Sequence, residues 1–254
     1  MDLKDKIAVV TGSGRGIGRA LAVEFARQGA VVVCCARTEE DIQETAAIIR
    51  KENGRCLPIR TDISDKRQVD AMVEQVILRF GCVDVLFNNA ARIPVISGLW
   101  EVDADQWWEE VTVNLRGPML CCRAVLPHMM KRNEGVIINM SGGSNIPGRT
   151  SYCCSKVALN RLTELLAKEL ETVGSSVIVF GMGPGLVKTK RTLVEAMTPQ
   201  GLRWNPGTRK QFDAGNDRPP EDCARATVKL LNGSVKELHG KMFATGEVLR
   251  SISH

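Results

Sequence analysis

Short apolar runs alternate with amphipathic stretches along the whole chain. "KIAVVTG", "AVVVCCA", "CLPIRTD", "VDVLFNNA", "GVIINM", "SSVIVFGMG" and "KMFATG" predict seven strands. Their near-continuous apolar content suits strands covered on both faces, as in a parallel sheet. Between the third and fourth runs, Val69, Met72, Val73, Val76, Ile77 and Phe80 recur at helical spacing and form one apolar stripe. Thr38 followed by Asp41 has capping-box spacing and predicts a helix start after the second strand. Strand and helix alternate to the end, which predicts an α/β fold with a doubly wound, mostly parallel seven-stranded sheet flanked by helices and right-handed crossovers. No internal repeat or linker interrupts residues 1–254, so a single domain is expected. The span near 188–220, rich in Pro, Gly and charge, is expected to form a long functional loop or lid on the substrate side.

Composition narrows the partners. With 254 residues and 44% apolar content, the chain can bury a sizeable core. The formal charge of +5 comes from bases interleaved with acids, without a dense Lys/Arg run, so no nucleic-acid partner is expected. "MDLKDKIAVVTG" has no apolar stretch of signal-peptide length, and no apolar run is long enough to span a bilayer. The expected location is cytoplasmic, without a membrane partner. Of the nine cysteines, six form adjacent pairs and none makes a C-x-x-C. Neighbouring residues rarely reach disulfide geometry, so reduced, core-packed thiols and no metal site are expected.

Chemistry begins where the first strand ends. In "TGSGRGIG", Gly12, Gly16 and Gly18 stand at G-x-x-x-G-x-G spacing, with Gly14, Arg15 and Ile17 among them. Glycine lets the backbone turn sharply and approach a pyrophosphate, which then sits on the N–H groups opening the next helix. Placed between a strand and a helix, the pattern predicts a dinucleotide site of Rossmann type. An NAD site usually carries Asp or Glu at the end of the second strand. Here that strand ends in Ala36 and Arg37, with Arg15 nearby. Two guanidiniums favour a 2′-phosphate, so NADP(H) is preferred, with NAD(H) possible.

Together, "TGSGRGIG", "NNAA", "VNLRG", "YCCSK" and "PGLVKT" occur in the order seen in the short-chain dehydrogenase/reductase family, which the chain resembles from about Lys6 to Gly246. The resemblance implies an oxidoreductase moving hydride between a nicotinamide and a small carbonyl or alcohol. It assigns Asp62, followed by Ile63, to the adenine ring, and Asn89, Ala90 and Ala91 to the adenosine side. Ala91 departs from the family's usual glycine. Pro184, Gly185, Val187 and Thr189 match the segment holding the nicotinamide carboxamide.

Tyr152, the only tyrosine, and Lys156 match the catalytic pair of that family. Residues four apart share a helical face. A free phenol ionises near ~10, and a nearby ammonium favours its charged form. The resemblance makes Tyr152 the general acid or base and gives Lys156 a bond to the nicotinamide ribose. Asn114 matches the residue whose carbonyl holds a water in the proton relay. Pro118, four residues on, removes that carbonyl's usual helical partner, which predicts a kink. The family also expects a serine just past the fifth strand. "NMSGGSNIPGRTSY" puts Gly142 there, with Ser141 before it and Ser144 two beyond, and both serines remain candidates. The apolar residues Val157, Leu159, Leu162, Leu165, Leu166 and Leu170 lie on more than one side of the tyrosine-bearing helix. They predict a symmetric homo-oligomer, a tetramer or dimer. A catalytically weak cofactor-binding regulator is the alternative on the same fold.

Overall fold

A computed structural model describes residues 1–92, 95–143 and 145–251. All seven expected strands form: β1 (Ile7–Thr11), β2 (Val31–Ala36), β3 (Arg55–Arg60), β4 (Val85–Asn88), β5 (Val136–Met140), β6 (Ile178–Gly183) and β7 (Met242–Ala244). They make one sheet in the order β3-β2-β1-β4-β5-β6-β7. Every pairing is parallel. The strand order reverses beside β1, between β1 and β4, and ligands of such sheets bind outside the strands' carboxyl ends at that point.

Alternation along each strand divides the core into two layers. Val10, Val32, Phe87, Ile138 and Phe180 pack on one face with Leu21 and Phe25 of α1 (Gly16–Arg27), Ile42 and Ile49 of α2 (Glu39–Lys51), and Val228 and Leu231 of the helix Pro220–Asn232. Val9, Val33, Leu86, Ile137 and Val179 pack on the other with Val69, Met72, Val73 and Val76 of α3 (Lys66–Phe80). That face also receives Val125 and Met129 from the helix Gly117–Arg132, and Leu166 and Leu170 from the helix Thr150–Thr172. Each large apolar side chain so buried contributes about 1.5–3 kcal/mol.

Asp84 anchors the opposite, amino-terminal ends of the central strands. Its buried carboxylate accepts from Ile7 N at 2.8 Å and from Arg132 at 2.7 Å. Burial alone would raise its pKa, but these donors outweigh it and hold the carboxyl below its ordinary range. All nine cysteines are free, and burial pushes the thiols of Cys34, Cys122 and Cys223 up to about 12. Such thiols are inert at neutral pH.

Helix α2 begins where expected, at Thr38, but without the expected capping box: the Thr38 side chain makes no cap hydrogen bond. Asp41 instead packs its Cβ against Gly14, and Glu39, Glu40 and Asp41 supply negative charge to the first turn. After α4 (Ala104–Val111), a π-helical turn spans Thr112–Arg116 before α5 (Gly117–Arg132). The disruption expected from Pro118 thus takes the form of a wider turn. Helix α6 (Thr150–Thr172) precedes β6. Much of the span near 188–220 is helical: α7 (Lys190–Met197), α8 (Pro199–Trp204) and α9 (Pro206–Asp213) precede α10 (Pro220–Asn232). Thr189 and Thr198 cap the first two, and proline opens the second and third.

Candidate active site

The glycine loop leaves β1 and is held from below by β4. Thr11 Oγ1 accepts from the backbone N–H groups of Asn89 and Ala90 at 3.0 and 3.1 Å. The Asn89 amide donates to the carbonyls of Thr11 and Gly12 at 2.9 and 3.2 Å. Gly12 has φ +66°, and a Cβ there would stand 2.7 Å from Ala90 Cα, so no other residue fits without moving β4. Gly18 is as constrained, since its Cβ would meet Gly12 O at 2.1 Å. Gly16 also has positive φ, and its open side faces Thr189 Cγ2, with 3.4 Å left to a hypothetical Cβ. The structure therefore brings "TGSGRGIG" and "PGLVKT" together. Thr189 is fixed by a reciprocal capping box with Thr192, and Val187 by a parallel bridge to Arg218. Gly185 turns the chain after Pro184 with φ +75°.

Arg15 is the N-cap of α1 and makes no side-chain cap bond, which leaves the opening N–H groups around Gly16 and Ile17 for a ligand. Arg15 and Arg37 are both exposed. Arg60, which sequence reasoning did not single out, joins them. It pairs in register with Ala36, and its Nε donates to Arg37 O at 3.1 Å. Asp62 accepts from the backbone N–H and hydroxyl of Ser64 at 2.9 and 2.7 Å. Ile63 turns inward and closes on Gly117, where a Cβ would lie 2.5 Å from Ile63 Cδ1. Ala91 is half-buried beside Arg92.

The residues of the expected catalytic group converge past β5. Asn114 lies fully buried in the π-helical turn. Its side-chain oxygen accepts from Arg92 N at 3.1 Å. Buried Glu110 accepts from the Ser151 hydroxyl at 2.6 Å and from Val95 N at 3.2 Å. Lys156 is 2% exposed, and its Nζ donates to Met140 O at 2.8 Å. Burial, then the charge of Arg191, lower its pKa from 10.5 to about 7 against the opposing pull of Glu110.

Tyr152 is buried, and its hydroxyl reaches the turn after β5. A Cβ placed on Gly142 would stand 2.2 Å from the phenol oxygen and 3.1 Å from Lys156 Cγ. The position aimed at the tyrosine is therefore Gly142. Ser141 continues the strand ladder through its N–H to Met182 O at 2.9 Å. Ser144 lies outside the described residues.

Two arginines missed by sequence reasoning pack on the Tyr152 ring. The guanidinium carbon of Arg149 lies 4.3 Å from the ring centre and that of Arg191 lies 5.1 Å away. Glu195 serves both. It accepts from Arg149 at 2.8 and 3.3 Å in a buried pair, and from Arg191 Nε at 3.4 Å. Trp204 and Trp100 meet edge to face at 5.7 Å, and the Trp204 ring closes on Gly148, which has φ +73°. Among the described residues no cluster of His, Cys, Asp or Glu could hold a metal, and no helix is long and apolar enough to cross a membrane.

Comparison with known proteins agrees with this layout. The family model for short chain dehydrogenase matches residues 6–197. A short chain dehydrogenase from Pseudocercospora fijiensis is 40% identical over 193 residues, covering 74% of this chain and 62% of that protein. An uncharacterized oxidoreductase from Staphylococcus aureus is 33% identical over 232 residues, covering 90% of this chain and 92% of its own. Among solved structures, a metagenomic short-chain oxidoreductase in complex with NADP superposes with TM-score 0.78 at 27% identity, covering 96% of this chain and 99% of its own. A short chain dehydrogenase/reductase from Burkholderia phymatum in complex with NAD gives 0.84 at 28% identity, covering 100% and 93%.

Proposed function

Because the chain belongs to the short chain dehydrogenase family, we propose that it is an NADP(H)-dependent oxidoreductase acting on a small carbonyl or secondary alcohol, with Tyr152 as its acid or base. The observation that carries this reading is the meeting of the Tyr152 hydroxyl, Lys156 and the turn after β5 at one point beyond the carboxyl ends of the strands. The chain has the donor set that a dinucleotide needs: uncapped N–H groups at the start of α1 and glycines where a side chain would block the approach. Gly12, Gly14, Gly16, Ile17 and Gly18 would hold the pyrophosphate, with Asp62, Ile63, Asn89, Ala90 and Ala91 on the adenosine side. Pro184, Gly185, Val187 and Thr189 would hold the carboxamide.

A bound nicotinamide supplies or accepts the hydride. The chain's own groups handle the proton. Tyr152 donates its hydroxyl proton to the carbonyl oxygen in reduction and takes it back in oxidation. Lys156, with a pKa of about 7, can release and regain a proton at neutral pH and so replenish the tyrosine. The Asn114 carbonyl, in a π-helical turn, would hold a relay water. Ser141 and Ser144 are candidates to orient the substrate oxygen.

The NADP(H) preference rests on Arg37 just after β2, Arg15 at the start of α1 and Arg60 at the end of β3, while solved relatives are complexes with NADP in one case and NAD in another. A charge-assisted contact contributes roughly 1.5–3 kcal/mol, so NADPH should bind about ten- to a hundredfold more tightly than NADH. Fluorescence titration with both cofactors checks this, and Arg37→Asp should remove most of the difference. Equal affinities in the unmodified protein would show that the arginines point to solvent. Tyr152→Phe should lower turnover by roughly 10²–10⁴ with little change in cofactor affinity. Full activity in that variant would sink the mechanism.

Gly142, where the family places its serine, favours a second reading: a catalytically weak cofactor-binding regulator. Failure to turn over a broad carbonyl panel while binding NADPH tightly would select it. Exposed Val157 and Leu165, with half-buried Leu162 between them, leave an apolar stripe on α6 that fits a symmetric homo-oligomer, a tetramer or dimer. A cytoplasmic location fits this reading.

A further inference from the structure

Arg191 has no place in the proton relay, yet it lies against the reacting tyrosine. It comes from the first turn of α7, directly after the segment assigned to the carboxamide. Its guanidinium carbon is 5.1 Å from the Tyr152 ring centre, and the phenol is among the groups that raise its pKa despite burial. Arg149 takes both oxygens of Glu195, leaving Arg191 only a long contact through Nε. Among the described residues its two terminal nitrogens make no hydrogen bond to a carboxylate. Arg149 and Arg191 share one directly paired carboxylate, Glu195, and Lys156, with a pKa of about 7, adds little further charge above neutral pH.

Gly142 adds an independent observation. A side chain there would collide with the Tyr152 hydroxyl, so that position cannot present a hydroxyl to the substrate while the tyrosine stays where it is. The groups that flank the phenol are cationic. A neutral ketone would leave Arg191 with its one long contact, whereas an anion would give its guanidinium a closer partner.

Building on the oxidoreductase reading, we propose that Arg191 is a specificity-determining residue that binds a substrate carboxylate, and that the substrate is a short oxo acid or its hydroxy acid. Guanidinium and phenol each bond an oxygen at about 2.8 Å, so carboxylate and reacting carbonyl must lie close together in one small molecule. The carboxylate then stands about one or two carbons from the carbonyl, as in 2-oxo and 3-oxo acids. The balance of the reaction is that of any carbonyl reduction. Hydride goes to the carbonyl carbon, the Tyr152 proton goes to its oxygen, and Arg191 neither gives nor takes a proton. Arg149 takes the closer contacts of Glu195, which leaves Arg191 the longer one.

The test compares each oxo acid with its methyl ester, with cofactor oxidation as the readout. The unmodified protein should favour the acid at least tenfold in kcat/KM. Arg191→Met should bring the acid-to-ester ratio close to one, chiefly through a higher KM for the acid, and Arg191→Lys should restore part of it. Calorimetric titration of the oxo acid into the protein–NADPH complex should show binding that Arg191→Met abolishes. Preference for the ester, or an equal loss on acid and ester in Arg191→Met, overturns the assignment and leaves the oxidoreductase reading intact. Turnover of neutral ketones with no acid accepted does the same. If no carbonyl compound is turned over and the acid does not bind the NADPH complex, both fall.

Discussion

Lys156 is a costly residue for the fold, and removing it should stabilise the protein while disabling it. Its charged form is disfavoured by burial and by Arg191, which takes its pKa from 10.5 to about 7. At 1.36 kcal/mol for each tenfold change, full protonation in the folded state costs roughly 5 kcal/mol relative to the unfolded chain. The sign follows from proton counts. Between pH 7 and 10.5 the unfolded chain holds more protons than the folded one, so stability rises with pH across that window. Below pH 7 the full cost stands, and above 10.5 it is gone. At pH 7.5 the cost is about 4 kcal/mol, and at pH 9 it is about 2 kcal/mol. Lys156→Met removes this term and loses the bond to Met140 O, worth about 1 kcal/mol. The variant should therefore be more stable by roughly 2–3 kcal/mol at pH 7.5, a rise in Tm of about 5–10 °C. That advantage should shrink by about 2 kcal/mol by pH 9. Urea denaturation of both proteins at the two pH values measures it. Parallel pH dependences, or a variant less stable at pH 7.5, would refute the electrostatic account.

Two further substitutions probe the framework. Gly142→Ala should displace the Tyr152 hydroxyl and lower kcat by about 10²-fold, the cost of roughly an ångström of misplacement; steady-state rates decide it, and a variant with full kcat would show that the tyrosine can move freely. Asp84→Asn should cost about 1–3 kcal/mol by weakening the bonds to Ile7 and Arg132. Because the folded-state pKa of Asp84 is depressed, that contribution is present above the unfolded value near 3.8 and is lost as pH falls through the lower folded value. Acid denaturation curves of the two proteins should therefore converge at low pH. Light scattering tests the assembly: a monomer at micromolar concentration would leave the apolar stripe of α6 without its proposed purpose.

Much of the fold was legible because its five inner strands are buried on both faces. A run such as "VVVCCA" has only one reading when it is bounded by a helix and a turn, and β2 lies in the sheet interior as that reading requires. The glycine loop was legible for a related reason, since Gly12 and Gly18 admit no substitute where they stand. The Thr38 cap was misread because Asp41 is drawn to Gly14, a contact that spacing within the helix cannot show. The helices α7, α8 and α9 left fainter signals, Thr189 with Thr192 and prolines at 199 and 206, in a stretch whose composition alone suggests a loop. Arg149, Arg191, Glu195 and Glu110 left none. Their roles arise from tertiary contacts between α4, α6 and α7, and each alone looks like an ordinary surface charge.

The unusual features around Tyr152 depend on one another. Gly142 lets the phenol approach the turn after β5, and the same approach brings the ring beneath two guanidiniums. Two neighbouring arginines, one buried and one half-buried, would repel, so Glu195 is buried with them, and its pairing ties α7 to the start of α6. With Glu195 held more closely by Arg149, Arg191 stands second only to burial among the causes of the depressed pKa of Lys156. A lysine with a pKa of about 7 is poised to exchange protons at neutral pH, which is what a relay to Tyr152 requires. The depressed pKa of Lys156 and the loosely paired guanidinium of Arg191 thus have one origin. A group that neutralises Arg191, such as a substrate carboxylate, would also raise the proton affinity of Lys156 at the moment the site is filled.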